Sequence, residues 1–267
     1  YLKISGQVII YSGGVLNIGT TGTPIPRTST AVLELDPAVD NDRGITARNL
    51  STVSIQGLSR TSGKDIVSCK LNTDEAANST SLGVDTDTGW LDNDVIAVAS
   101  TTRTPTQGES GTLNGNAGAT DLTVDGFAGT GGGVLNAHSG TSPTQAEVIL
   151  LTRNVVIRSA TNTVYIFFNT ANTSTIDIDW AEFITVAHQS NQTTGVYSCQ
   201  YSSFHDVEVS GIIITGIAPT SQTFSNNVAF NLNSARTSGT GINIANLSAN
   251  VTVSNNVFIL LYGATGS

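Results

Sequence analysis

The sequence predicts an all-β protein, a right-handed parallel β-helix (solenoid) with an irregular β-rich leading region. Three observations carry that reading. Only 12% of the residues are charged, about half the usual share of roughly 25%. Ser, Thr, Asn and Gly fill the polar positions, and these suit turns, strand edges and stacked ladders better than helix surfaces. Short strand-like segments then recur at near-regular intervals beyond residue 154. Finally, Glu147–Ser159 (E-V-I-L-L-T-R-N-V-V-I-R-S) is the longest nearly continuous apolar run. Its β-branched, non-alternating character is that of strands buried on both faces.

Bulk properties narrow the function classes. The 267 residues are 39% hydrophobic, enough for a substantial core. The net charge is −9, and the 11 Lys and Arg are scattered. No basic stripe tracks a phosphate backbone, so nucleic acid is disfavoured as a partner, as is attraction to anionic lipid. No apolar run approaches the roughly 20 residues of a membrane span. The chain begins at Tyr1, has no Met and ends just after a strand-like run, which reads as a piece of something longer. Cys69 and Cys199 read as two small buried thiols, with a single bridge between them as the alternative.

In chain order, Gln7–Tyr11, Val15–Ile18 and Ala31–Leu35 read as strands. Gly13–Gly14 makes a corner and Thr23–Pro26 a turn. The loop from Asp36 to Arg43 carries Asp36, Asp40 and Asp42, an oxygen-ligand pattern that admits calcium, the one cofactor suggested; a solvated turn is the plainer reading. Thr52–Gly57, Asp65–Cys69 and Ser79–Val84 follow as strands. In Thr86–Ala99, Trp90 is placed to plug one end of a core before the turn at Asp92–Asp94 and the strand Val95–Ala99. Asp92 and Asp94, with Asp85 and Asp87, form a second acidic cluster with the same two readings. Residues 101–140 hold few apolar side chains and are expected to protrude as loops or a small hairpin. A domain boundary is expected at residue 147, with residues 1–146 as a glycine-rich β domain and 147–267 as coils.

Beyond that point the strand starts near Asn154 and Thr175 lie 21 residues apart, those near Asp206 and Asn226 lie 20 apart, and Asn226 to Asn250 is 24, with an extra strand at Gly195–Tyr201. The hexapeptide Ser225–Phe230 (S-N-N-V-A-F) is echoed at Ser254–Ile259 (S-N-N-V-F-I). Such self-similarity is the mark of a solenoid, and Asn-Asn at equivalent corners is expected to stack as an amide ladder. Arg153 and Asn154 are expected to sit at a seam, pairing with backbone or carboxylates between layers.

Several segments, in order, resemble a known family. They are Gly13–Thr20 (G-G-V-L-N-I-G-T), Pro24 and Ala31–Leu35; then Trp90, Asp94, Val95–Ala99 and Ser100–Thr102; then His138, Glu147 and Leu151–Asn154. Together they are similar to the extracellular domain named for its eight glycines, found in fibrocystin-like and cell-surface hyaluronan-processing proteins. The resemblance covers about residues 6–160. It implies a β-helix, a secreted or surface-exposed setting and glycan contact. Hyaluronan-processing members carry a Tyr-Pro-x-His-x-His type cluster. The nearest match, Gly195–His205 (G-V-Y-S-C-Q-Y-S-S-F-H), keeps a Tyr and lacks the paired histidines, so the activity does not carry over.

The residues themselves offer few catalytic constellations. The three histidines, His138, His188 and His205, show no metal-ligand spacing. His205, next to Asp206 and near Tyr201, is an acid/base candidate. Asp177 and Asp179, on one strand face with Glu182 nearby, are candidate carboxylates for glycan chemistry; Trp180 and Tyr201 are candidate sugar platforms. For each, a turn or an outward acidic face is the plainer alternative. The expected function is therefore a structural or adhesive β-helix module of a larger extracellular surface, fibre or virion protein, with other copies or segments of that assembly and glycan as partners. The alternative is a polysaccharide-degrading enzyme, hydrolase or lyase, or a glycan-binding module, on the same fold.

Overall fold

The computed structural model describes residues 1–36, 42–115, 118, 120–160, 164–170, 174–192, 195–207, 211–216, 221–232, 242–245 and 251–261. The chain divides into two compact units, one built mainly from Tyr1–Leu58 and Arg153–Asn256 and the other from Ser59–Thr152 with Val257–Leu260.

The first unit is a three-faced parallel β-helix. One face stacks Leu2–Ile4, Ala31–Leu35, Val155–Ser159, Ala181–Ile184, Ser203–Val207 and Val228–Leu232. The second stacks Val8–Ile10, Asp42–Ala47, Val164–Thr170, Val186–Gln192, Ile212–Gly216 and Ile242–Ala245. The third stacks Val15–Ile18, Thr52–Gln56, Ser174–Asp179, Gly195–Gln200, Ser221–Ser225 and Val251–Ser254. Neighbouring strands pair in parallel, as in Phe183 beside Phe204 and Ile176 beside Tyr197. Parallel pairing requires a crossover between strands, and here the crossover is the rest of the coil. Inward columns are apolar and outward residues polar; Ser174–Asp179 alternates strictly, with Ile176 and Ile178 buried.

The coils turn by the same means. Trp180, Tyr201, Asn226 and Asn255 end the third-face strands with φ of 53°, 50°, 55° and 55°. Thr185, just past Ala181–Ile184, and Asp206 and Asn231, next to last in their first-face strands, take φ of 59°, 57° and 54°. A left-handed residue reverses the pleat, which lets the next strand begin on a new face. Each costs roughly 1–2 kcal/mol in a non-glycine residue, so something must hold the corner.

Amides do so. Asn227 Oδ1 accepts from the Ser202 N–H at 2.9 Å, and its Nδ2 donates to the Cys199 carbonyl at 2.9 Å. Asn256 repeats the arrangement one coil on, accepting from the Asn227 N–H and donating to the Phe224 carbonyl, both at 2.9 Å. Asn154 does the same against the preceding coil, accepting from the Leu58 N–H and donating to the Ile25 and Pro26 carbonyls. Gly57 at this corner cannot carry a Cβ, which would lie 2.4 Å from both Asn154 Oδ1 and the Trp180 carbonyl.

The second unit is a six-stranded antiparallel sheet in the order Ser68–Lys70, Glu147–Leu150, Val95–Val98, Glu109–Leu113, Asp121–Asp125 and Ser81–Gly83. Its outer strands also meet, through the Leu71/Val84 bridge and the bonds Asn72 N–H to Gly83 O and Asp85 N–H to Lys70 O. The sheet therefore closes into a small barrel, and closure leaves no edge. Leu71, Leu82, Ile96, Val98, Leu122 and Val148 fill it. Trp90 is buried there and donates its Nε1–H to the Ile66 carbonyl at 2.9 Å.

Two expectations need correction. Coils do not start at residue 147: Leu2–Ile18 and Ala31–Gln56 already form two, and the barrel is inserted between the second and the third. The insertion hides the repeat spacing, because the strands it separates pair directly, Ile157 with Leu33. Nor do residues 101–140 merely protrude. Glu109–Leu113 and Asp121–Asp125 are barrel strands, and Leu113, Leu122, Val124, Phe127 and Val134 are core. Two inward residues per strand suffice in so narrow a barrel, so a low apolar content misleads there. The run Glu147–Ser159 is two strands in two units, dividing between Thr152 and Arg153.

Asn227→Ala removes an acceptor and a donor from a fully buried corner. It should lower unfolding free energy by about 2–4 kcal/mol in urea titrations, with the β-type circular dichroism retained before the transition.

Candidate functional site

The residues nominated for chemistry converge in part on one region of the β-helix, at the third-to-first-face corner and along the first face. Repeat register brings them together: Glu182 lies beside Ser203, and Ile184 beside His205, in adjacent strands.

Arg153, 2% exposed, is the hub. Its backbone N–H donates to Glu182 Oε2 at 2.9 Å, its Nε–H donates to the Tyr201 carbonyl at 2.6 Å, and its guanidinium carbon lies 5.2 Å from the centre of the Trp180 ring. Trp180 and Tyr201 stack with centroids 5.0 Å apart and planes 7° apart. A cation near an aromatic ring and offset ring stacking are both attractive. Trp180 is 6% exposed, which corrects its expected role: its ring is spent on internal packing and offers no sugar platform. Tyr201 is half-buried in the same stack.

Glu182, 5% exposed, faces His205, also 5% exposed, with Oε1 and Nε2 3.0 Å apart. The other ring nitrogen, Nδ1, lies 2.8 Å from Asp206 Oδ2, and Asp206 Oδ1 accepts from Asn231 Nδ2 at 2.9 Å. Burial disfavours the charged ring, but the hydrogen bonds and charges of Asp206 and Glu182 outweigh it and raise the His205 pKa to about 9. Burial likewise acts upward on Asp206, while the bond and charge of His205 hold its pKa below the usual value. With both nitrogens facing carboxylates, His205 is an imidazolium tie between strands. A general base must be able to take a proton near working pH, and this ring already holds one.

Asp177 and Asp179 point outward from the third face, half-buried. Asp177 Oδ2 accepts from Thr21 Oγ1 at 3.1 Å. Beside them run Ser198 and Gln200, whose amide donates to Ser198 Oγ at 3.2 Å and accepts from Ser225 Oγ at 3.1 Å. This is a polar outward ladder rather than a convergent acid/base pair.

The remaining candidates are distributed. Asp36 pairs with Lys3 at 3.0 Å; Asp40 lies outside the described residues, and Asp42 begins a strand. In the barrel, Asp92 Oδ1 accepts from the Gly115 N–H at 2.6 Å. Asp94, fully buried, accepts from the Leu91 N–H and pairs with Arg60, both at 2.7 Å. Among the described residues no group of three or more His, Cys, Asp and Glu side chains could hold a metal ion; Asp36 is an ion-pair partner, Asp92 a turn cap, and Asp94 both. His138 is clamped between the Ala99 carbonyl at 3.0 Å and Glu109 at 2.7 Å. Cys69 and Cys199 are both free and buried, so the bridge alternative is not formed. Burial pushes the Cys69 thiol well up and the Cys199 thiol up to about 12.

Sequence reasoning missed Asn231 and the internal pair of His188 and Tyr197. His188 is fully buried, with Nε2 2.6 Å from the Tyr197 hydroxyl, and burial pushes its pKa down to about 3. Coil register, invisible before the fold is known, was the only signal for both.

Two opposed pH limbs follow. His205 has a folded value above its ordinary 6.5, so its stabilisation is complete below about pH 6.5 and lost as pH rises through about 9. His188 is depressed, so the stack weakens as pH falls from about 6.5 toward 3, where only the unfolded chain binds the proton. Urea unfolding across pH should show His205→Gln about 1–3 kcal/mol less stable near pH 6, with the gap closing by pH 10. His188→Phe should flatten the acid limb alone.

No protein-family model matches the chain, and no curated protein sequence matches it. Solved structures with a similar trace include three tailspikes. For the tailspike gp49 of Pseudomonas phage LKA1 the identity is 10% and the TM-score 0.30, over 75% of this chain and 36% of that one. For gp61 of Pseudomonas phage phi297 the values are 8% and 0.33, over 97% and 40%. For gp54 of Acinetobacter baumannii bacteriophage AP22, solved with a capsular saccharide, they are 11% and 0.29, over 97% and 53%. The chain thus spans about a third to a half of the length of these structures.

Proposed function

We propose that this chain is a structural, adhesive β-helix module of a larger extracellular surface, fibre or virion protein, presenting loops for contact. The observation that carries the reading is the open first coil. Leu2–Ile4, Val8–Ile10 and Val15–Ile18 are each the last strand of their sheet. Leu2, Ile4, Val8, Leu16 and Ile18 line a cavity of about 400 Å³. Tyr1 and Leu2 at the cavity, and Tyr11, Val15 and Leu50 elsewhere on the first two coils, are all more than half exposed. Unpaired strand edges with apolar side chains demand cover, and cover supplied by further protein makes the coils part of an assembly. The ionisable side chains fit the same role, since Arg153, Glu182, His205 and Asp206 tie coil to coil.

The second reading, a glycan-binding or polysaccharide-degrading module, draws on the outward carboxylates of Asp177 and Asp179 beside Ser198 and Gln200. Hydroxyl and amide side chains in register offer donors and acceptors at the strand spacing of about 4.8 Å.

Sedimentation velocity tests the first reading. The chain should self-associate or bind an apolar dye, and Leu2→Lys with Val15→Lys should reduce both several-fold; a monomer that binds no dye would overturn it. In parallel, incubation with acidic and neutral polysaccharides should leave their lengths unchanged. Shortening that Asp179→Asn abolishes would replace the structural reading with the enzymatic one.

A further inference from the structure

The interior of the β-helix is apolar in most columns, yet one column on the third face turns polar. Leu16, Val53, Ile176, Tyr197, Gln222 and Val251 stack in register. Gln222 is 1% exposed. Both its Oε1 and its Nε2 are buried, and neither has a hydrogen-bond partner among the described residues. A carboxamide offers two donors and an acceptor with two lone pairs, and an amide left dry inside a protein is strongly unfavourable.

The surroundings restrict what could satisfy it. Phe204 and Phe224, both buried, lie 6.0 Å apart on neighbouring faces of the same coil. Ile212 and Ile214 are 1% exposed on the remaining face. None of these side chains bonds to an amide. The adjacent polar atom in the column is the Tyr197 hydroxyl, which meets His188 Nε2 at 2.6 Å. A phenol oxygen that donates its one proton to an imidazole still has lone pairs to accept with.

We propose that the coil interior at Gln222 is a buried water site, in which ordered water bonds to the Gln222 carboxamide and bridges it toward the Tyr197 hydroxyl. Water is the smallest molecule that both donates and accepts, and buried waters characteristically satisfy polar groups of this kind with two to four bonds. The site extends the polar cross-brace of His188 and Tyr197 by one coil. It is independent of the proposed structural role, since the coils would be wet here in an enzyme or a fibre alike.

The test is water-to-protein cross-relaxation by NMR on the whole chain, together with a crystal structure that resolves ordered solvent. The expected result is a direct water cross-peak to the Gln222 Nε2 protons and a solvent peak within hydrogen-bond reach of the amide. Gln222→Leu should abolish the water signal near the Tyr197 ring while leaving the Asn227 corner resonances in place. If that variant does not fold, Gln222→Met, close in length and apolar at its end, replaces it. Absence of the cross-peak, with the Gln222 amide bonded directly to protein atoms, would overturn the proposal.

Discussion

Everything in the β-helix depends on keeping the coils in register while the chain turns. A parallel ladder pairs each residue with its counterpart one coil away, so a slip of one residue would turn every inward side chain outward. Register is enforced at the corners. Left-handed residues at 180, 201, 226 and 255 place the bend at the same point in successive coils, and Asn154, Asn227 and Asn256 tie those points together with main-chain bonds. Asparagine suits the task because one short side chain both donates and accepts, and because the same residue type tolerates left-handed backbone.

With register fixed, the columns follow. Phe183 stacks on Phe204 at 4.9 Å because the same inward position recurs one coil later. Lys3, Glu34 and Arg158 are consecutive partners on the outward first face and form an ionic column, with Arg158 2.7 Å from Glu34. The barrel insertion is tolerated for the same reason. The chain leaves after Leu58 and resumes at Arg153, and the Leu58 N–H bonds to Asn154 Oδ1, so the corner is completed across an excursion of nearly a hundred residues. A long insertion adds only slowly to the entropy of closing such a loop.

The functional reading turns on which polar groups the stacking uses. Glu182, His205 and Arg153 have the residue types of an active site, but each is buried and bonded to the next coil. An imidazole between two carboxylates gains charge stability and loses the capacity to shuttle protons near neutrality. The outward ladder around Asp177 and Asp179 sets carboxylates beside the Ser198 hydroxyl and the Gln200 amide. The first coil ends each of the three sheets and exposes Leu2 and Val15, which is the feature the proposed assembly rests on.

The sequence by itself determined the fold class. Low charge, abundant Thr and Asn, and the repeated S-N-N-V hexapeptide specify strands with polar corners, because those are local properties of backbone and side chain. The amide ladder was legible for the same reason, as the Asn-Asn pairs recur at the coil length. Tertiary structure alone decided where the coils begin, since the strands at 31–56 pair with strands beyond residue 154 and no local pattern records a partner a hundred residues away. It alone showed that 59–152 closes into a barrel, whose sparse core is sufficient only once six strands share it. And it alone set the roles of Trp180 and His205. Their chemistry was readable in the sequence, but their burial and partners come from register between coils, a relation no single strand contains.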